Sequence, residues 1–328
     1  MTPSRPVVVY GAGAVGGVIA ARLHLAGVAV SAVARGDHLD AIRRRGLTVV
    51  TQTGSETVRV PAAPSAGEID WTAAPLAILA VKSQQSAAAL DDLRAHAPRS
   101  TPLFIAQNGV ANEAAALRLF ADVYGITVML PSAHLKPGVV VQQCSPIAGI
   151  LDLGRFPAGS DATAAAASAL LRSAGFASEV RPDVMAWKHR KLIANLANGA
   201  LATYQPGPDT DELIRRVREE GEQVLAAARI PVVTAEQDLQ RRGDLLQGRA
   251  RRDAFGSTWQ SIARGRSDVE TDWLNGEIVL TARLHGLSAP VNQLIQRVTA
   301  EHARGGHTPR SREAAPDLDA VLQQALGD

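Results

Sequence analysis

The chain has 328 residues, 46% of them hydrophobic, enough for two domains of ordinary size around a substantial core. Its 34 basic and 32 acidic residues leave a net charge of only +2, which offers no surface for nucleic acid and makes an anionic small molecule a sufficient partner. A single cysteine, Cys144, excludes an intramolecular disulfide and any cysteine-based metal site; with no leader pattern and no apolar run of ~18 residues, a soluble, cytoplasmic protein without membrane contact is expected.

The apolar run Val7-Val8-Val9-Tyr10 leads directly into Gly11-Ala12-Gly13-Ala14-Val15-Gly16-Gly17, and the order reads as strand, tight turn, helix. The first glycine permits the turn, the second lets backbone approach a pyrophosphate, and the third lets helix pack closely on strand, while the helix N-terminus favours an anion. Gly11, Gly13, Ala14, Val15 and Gly16 are therefore candidate contacts to a dinucleotide. A second strand, 28–33, ends at Arg35, where an enzyme specific for NAD usually carries an acid on the ribose 2′-hydroxyl. A guanidinium there suits a 2′-phosphate, so NADPH is the expected cofactor. Asp37, two residues on, is read as part of a helix N-terminus.

Further strands are predicted at 47–50, 57–60, 76–81, 102–106 and 124–128, with 139–142 and 147–152 as an additional pair at the edge. Alternating with amphipathic segments, they imply an α/β fold, an N-terminal Rossmann-type doubly wound sheet. After a helix at 161–174 and a short strand near 176–180 the pattern becomes helical throughout, which places a domain boundary at Pro182. The all-helical C-terminal domain, 183–302, is predicted to contain helices at 183–203, 209–228, 234–249, 257–263, 267–285 and 290–302. Residues 303–328 read as a polar, mobile tail whose stretch 318–326 has the pattern of a last docking helix.

Ligands of such a sheet bind beyond the carboxyl ends of its strands. Lys82 and Asn108 follow two of those ends and are read as ligand contacts, against the alternatives of a solvated lysine and an Asn-Gly turn. In the helical half Lys191, Asn195 and Asn198 stand at i, i+4 and i+7 on a helix that is apolar nearly all round after Leu192. A polar stripe on a buried helix needs internal partners or a polar ligand, and desolvation moves a lysine toward proton donation. Ser267 and Glu270 have the spacing of a capping box, so Glu270 is either a cap or a carboxylate for the lysine; Ser257 either holds a substrate carboxylate or opens a short helix.

Together these segments resemble the ketopantoate reductase family, the NADPH-dependent reductases that make pantoate for coenzyme A. The resemblance rests on the opening glycine block, Ala34-Arg35-Gly36-Asp37-His38-Leu39, Val81-Lys82, Gln107-Asn108-Gly109, Arg190-Lys191-Leu192 with Asn195, and Glu270-Thr271-Asp272-Trp273-Leu274-Asn275-Gly276, and runs to about residue 302. It implies that Lys191 is the general acid and Glu270 its partner, that Asn108 lies between nicotinamide ribose and substrate, that Asn195 and Ser257 hold the substrate, and that Arg35 and Lys82 serve the cofactor phosphates. The active site is expected in a cleft between the domains, and a homodimer through the helical half is familiar in the family. Three positions differ from its usual pattern: Gly199 and Ala254 where it has asparagine, and Ser261 where it has aspartate. They keep open a D-2-hydroxyacid dehydrogenase acting on another 2-oxo acid. A non-catalytic NADPH sensor is the reading from a different class, and it requires no lysine on a buried helix.

Overall fold

The computed structural model describes residues 5–246 and 256–327. Its described residues divide into two compact units: 5–107, 111–188 and 234–246 form the first, and 108–110, 189–233 and 256–327 the second. The predicted linear division at Pro182 differs from this in three places: residues 108–110 group with the second unit, residues 183–188 remain with the sheet, and the chain returns to it at 234.

The first unit is built on strands that read as continuous apolar runs because both of their faces are covered. β1 (Val7–Tyr10), β2 (Val30–Val33), β6 (Leu76–Leu79), β7 (Leu103–Ile105) and β8 (Val123–Met129) are parallel, with the two-residue β5 (Ala62–Ala63) beside β2. β11 (Ile150–Arg155) closes the far edge antiparallel to β8, and the order is β11-β8-β7-β6-β1-β2-β5. The order reverses around β1, so the doubly wound sheet expected from the sequence is present, with its switch point between β1 and β6.

Several strands have other places than predicted. β3 (Leu47–Val50) and β4 (Ser55–Val58) do not join this sheet; with β10 (Val139–Gln142) and the unforeseen β9 (Ser132–Lys136) they form a second sheet, ordered β4-β3-β10-β9. The reason is visible in β3, where buried Leu47 and Val49 alternate with half-buried Thr48 and Val50, the pattern of a sheet with one wet face. β10 and β11 consequently belong to different sheets and are not the predicted edge pair. Helix α1 (Ala14–Leu25) lies against strands of both sheets, which explains why it is apolar all round apart from Arg22 and His24 in its last turn.

Helix α2 (Gly36–Arg45) starts at Gly36 with Arg35 as its N-cap residue, so Asp37 sits in the first turn and is exposed. α3 (Ser86–His96), α4 (Asn112–Leu117) and α5 (Ala162–Ser173) complete the helices around the sheet. The predicted helix 183–203 is two helices, α6 (Val184–Asn195) and α7 (Ala197–Thr203). They part at Leu196, whose carbonyl accepts the side-chain amide of Asn275 at 3.1 Å.

The rest of the second unit contains α8 (Pro208–Ala227), α10 (Ser257–Ala263), α11 (Asn275–Leu284), α12 (Pro290–Arg304) and α13 (Ala315–Gly327). α9 (Ala235–Arg242), predicted within the helical domain, belongs to the first unit instead. Asp152 of β11 is 1% exposed and receives the fork of Arg241 at 2.7 Å on each oxygen; a carboxylate so buried needs a paired cation. Residues 247–249 of the prediction lie outside the described residues. The C-terminal segment docks: Arg310 N and Gln205 N bond Ala202 O and Arg312 O, and Asp317 accepts Tyr204 Oη and the Arg312 guanidinium. Among the described residues no helix is long and apolar enough to cross a membrane.

Candidate functional site

In the first unit, the three glycines of the opening motif meet three different constraints. Gly11 has φ +103, a left-handed conformation that disfavours any side chain, and a Cβ there would lie 2.7 Å from Val81 Cγ1. Gly16 abuts the turn itself, for its Cβ would stand 2.0 Å from the Gly11 carbonyl oxygen. Gly13 has nothing within 4 Å of a Cβ, so backbone at this point is open to a ligand. Gly13 also gives α1 no side-chain cap, and the first turn, with half-buried Ala14 and Val15, holds no acidic residue. The positive end of the helix therefore keeps its attraction for an anion, and the residues fit a dinucleotide pyrophosphate.

Around this loop the structure adds partners that the sequence reading did not single out. His38 accepts Gly138 N–H on Nδ1 at 2.9 Å, which leaves Nε2 as the protonated nitrogen, 2.7 Å from the Ala12 carbonyl. Its ring lies 4.1 Å from that of His134, and burial lowers its pKa. Arg35 is exposed at the end of β2, and its guanidinium donates to Tyr10 Oη at 3.2 Å. Tyr10 in turn donates to Asp92 at 2.6 Å; burial and that acidic acceptor push its hydroxyl up to about 12.

Lys82 is half-buried just after β6, where it opens a short 3-10 turn. Asn108, also half-buried, follows β7 after Ala106 and Gln107 and is grouped with the second unit. The side-chain amide of Gln107 spans the ends of the strands, donating to Val81 O at 2.7 Å and Ser86 Oγ at 2.8 Å.

In the second unit, Lys191 is half-buried on α6 and Asn195, one turn on, is buried with its Nδ2 donor lacking any hydrogen-bond acceptor among the described residues. Such a donor is expensive unless something polar completes it. Asn198 lies beyond the break at Leu196, with its Oδ1 3.3 Å from the position of a Cβ on Gly256, beside half-buried Ser257 at the start of α10. The one helical stripe predicted for Lys191, Asn195 and Asn198 is thus divided between α6 and α7.

Glu270 is buried at the head of a 3-10 turn, Glu270–Trp273, that leads into α11. The capping box does not form: the residue before the turn is extended Val269, with no side-chain cap, and Ser267 is exposed. Gly199 has its own explanation, since a Cβ would stand 2.8 Å from Ile295 Cγ2 and 2.8 Å from Thr299 Oγ1, leaving no space for a side chain. Ser261 turns back to the Ser257 carbonyl at 3.0 Å, and Ala254 lies outside the described residues.

Residues 7–157 match the family model for ketopantoate reductase PanE/ApbA, and residues 183–303 match that for its C-terminal domain. A 2-dehydropantoate 2-reductase of Pyrococcus horikoshii is 29% identical over 312 residues, covering 92% of this chain and 98% of the relative. One from Archaeoglobus fulgidus is 28% identical over 306 residues, covering 88% and 95%. The crystal structure of a PanE/ApbA family ketopantoate reductase from Ralstonia eutropha has a TM-score of 0.76 at 26% identity, covering 92% of this chain and 99% of that one. A ternary structure of D-mandelate dehydrogenase with NADH and anilino(oxo)acetate shares the fold, with a TM-score of 0.77 at 20% identity and the same coverage. The chain belongs to the ketopantoate reductase family, oxidoreductases acting on 2-oxo acids.

Proposed function

We propose that this protein reduces 2-dehydropantoate to (R)-pantoate with NADPH as donor. The observation that carries the reading is the buried, unpartnered Nδ2 of Asn195 one helical turn from Lys191: a donor kept without an internal acceptor, next to a cation, suits a polar and anionic ligand. The first unit binds the dinucleotide with backbone at Gly11, Gly13, Ala14, Val15 and Gly16, and with Lys82 and Arg35 on its phosphates. Bound there, the cofactor supplies hydride from its nicotinamide. Lys191 gives a proton to the carbonyl oxygen as it becomes a hydroxyl, and Glu270 orients the ammonium. Asn195 and Ser257 hold the substrate, and Asn108 contacts both ribose and substrate. The exposed guanidinium of Arg35 supports NADPH over NADH. The single buried Cys144 supports a reducing, cytoplasmic setting, and a homodimer through the helical unit is what the family resemblance implies.

The test follows NADPH absorbance with ketopantoate, pyruvate, 2-oxoisovalerate, 2-oxoglutarate and phenylglyoxylate at equal concentrations, with NADH as the other donor. A kcat/KM for ketopantoate about tenfold above the rest, worth ~1.4 kcal/mol of transition-state discrimination, is expected. The second reading, a D-2-hydroxyacid dehydrogenase, draws on Gly199, where packing against α12 leaves no room for the family's asparagine. Preference for another 2-oxo acid would establish it, and no turnover at all with NADPH still bound would leave a sensor.

A further inference from the structure

Lys188 is a fully buried cation of the first unit outside the proposed chemistry. Its side chain is 2% exposed, and that of Glu113, on α4, is 0% exposed; Nζ and Oε1 are 2.7 Å apart in an ion pair bent away from hydrogen-bond geometry. The ammonium donates instead to two backbone carbonyls, Gln107 O at 2.8 Å and Ile126 O at 3.2 Å. Space for this lysine is built into the sheet. Gly125 of β8 would, with a Cβ, stand 3.2 Å from Lys188 Cδ and 3.3 Å from Val184 Cγ1; its register partner on β11, Gly154, would stand 1.9 Å from the Arg181 carbonyl. Two neighbouring strands thus omit side chains where α6 crosses them.

Burying an ion pair is a poor route to stability, because an apolar pair of similar volume does as well or better. What an apolar pair cannot do is fix the direction of a carbonyl. Gln107 is held twice: its side-chain amide by Val81 O and Ser86 Oγ, and its carbonyl by Lys188. That carbonyl belongs to the peptide leading into Asn108. We infer that Lys188 and Glu113 are positioning residues that set the Gln107–Asn108 peptide, and through it the aim of the Asn108 side chain. The inference rests on the proposed role of Asn108 in binding nicotinamide ribose and substrate.

The test is a cycle of three variants: Lys188→Met with Glu113→Gln, which removes both charges at similar volume; Asn108→Ala; and all three together. Each is measured for kcat and KM with the best 2-oxo acid of the panel, for NADPH dissociation by fluorescence, and for melting temperature. The charge-free variant is expected to lose about 10- to 100-fold in kcat/KM, chiefly in kcat, as small misplacements of contacting groups do. Its NADPH dissociation constant, set mainly at the glycine loop, is expected to stay within about threefold, a shift below ~0.7 kcal/mol. Adding Asn108→Ala should then cost less than about threefold more, since two changes acting on one element are not additive. Losses that multiply would overturn the inference and leave Asn108 its role. Full activity of Asn108→Ala alone would overturn both, and full activity of the charge-free variant would overturn the positioning alone. If the double change prevents folding, Glu113→Gln in the same cycle with Asn108→Ala gives the same decision.

Discussion

At the carboxyl end of the N-terminal sheet, the groups offered to a ligand belong largely to the backbone: a left-handed Gly11, an open Gly13 and an uncapped helix start, while nearby side chains such as His38 and Gln107 are occupied with holding carbonyls. In the helical unit, on α6 from residue 189 onward and on α10, the arrangement is reversed. The helices are regular, and what is offered is side chains: half-buried Lys191, buried Asn195 with a donor to spare, and Ser257 at a helix start. A backbone site is selective for shape and charge and suits a cofactor common to many reactions. A side-chain site decides which reaction follows.

The sharpest way to break this division is to remove one group from the side-chain site. Lys191→Ala is expected to lower kcat by about 10²- to 10⁴-fold, the usual worth of a general acid, while NADPH binding and melting temperature stay near wild type. Steady-state turnover with a fluorescence titration checks it. Undiminished turnover would remove Lys191 from the chemistry and with it the distinction between the two regions.

Within the backbone site, two neighbouring glycines should respond in opposite ways. Gly16→Ala forces a Cβ into the Gly11 carbonyl oxygen and should destabilise the fold by about 1–3 kcal/mol, as overpacking does, which denaturant melts would show. Gly13→Ala has extended backbone, with φ −70 and ψ −154, and nothing near the new methyl, so stability should change by less than about 0.5 kcal/mol. Its NADPH affinity should nevertheless fall about tenfold or more, equal to ~1.4 kcal/mol of lost approach. Equal effects of the two changes on the two readouts would contradict the roles assigned to these glycines.

Arg35 sharpens the comparison from the other side, being a side chain proposed to serve the cofactor. Arg35→Ala should weaken NADPH by about 10- to 100-fold, the range of one or two charge-assisted hydrogen bonds, and leave NADH nearly unchanged. Tyr10 and Asp92 already form a chain with this guanidinium, so Tyr10→Phe should reproduce a small part of the loss.

The same contrast governs what could be read from the chain. The glycine loop was legible because its constraints are local: Gly16 needs to be small on account of Gly11, five residues away. The place of β3, and of β4 paired to it, was not, because the other neighbour of β3 is β10, about 90 residues later, and the docking of α9 depends on Asp152 and Arg241, 89 positions apart. Lys191 and Asn195 were visible as polar residues on an apolar helix, yet their roles depended on the resemblance, since burial alone does not distinguish a ligand contact from a satisfied core amide. Lys188 and Glu113 carried no local sign; the nearest clue was Gly125, a glycine inside an apolar strand.

The smallest expected effect concerns His38, which ties the backbone site to the second sheet. Burial holds its pKa below the ordinary 6.5, outweighing the bond to Ala12 that acts in the other direction. The unfolded chain therefore takes up a proton on this ring at a higher pH than the folded one, and acid erodes stability between 6.5 and the folded value. Protonation would also put a second N–H opposite Gly138 N–H, a donor facing a donor. His38→Ala should be less stable than wild type above pH 6.5, and the difference should shrink as the pH falls below it. His302, whose pKa is lowered by its own burial, contributes the same slope to both proteins and cancels. A difference that stays constant on acidification would mean that the folded ring carries its proton as readily as the unfolded one. The hydrogen bond from Gly138 could then have no part in holding the loop, and the Ala12 carbonyl would be fixed by His38 Nε2 alone.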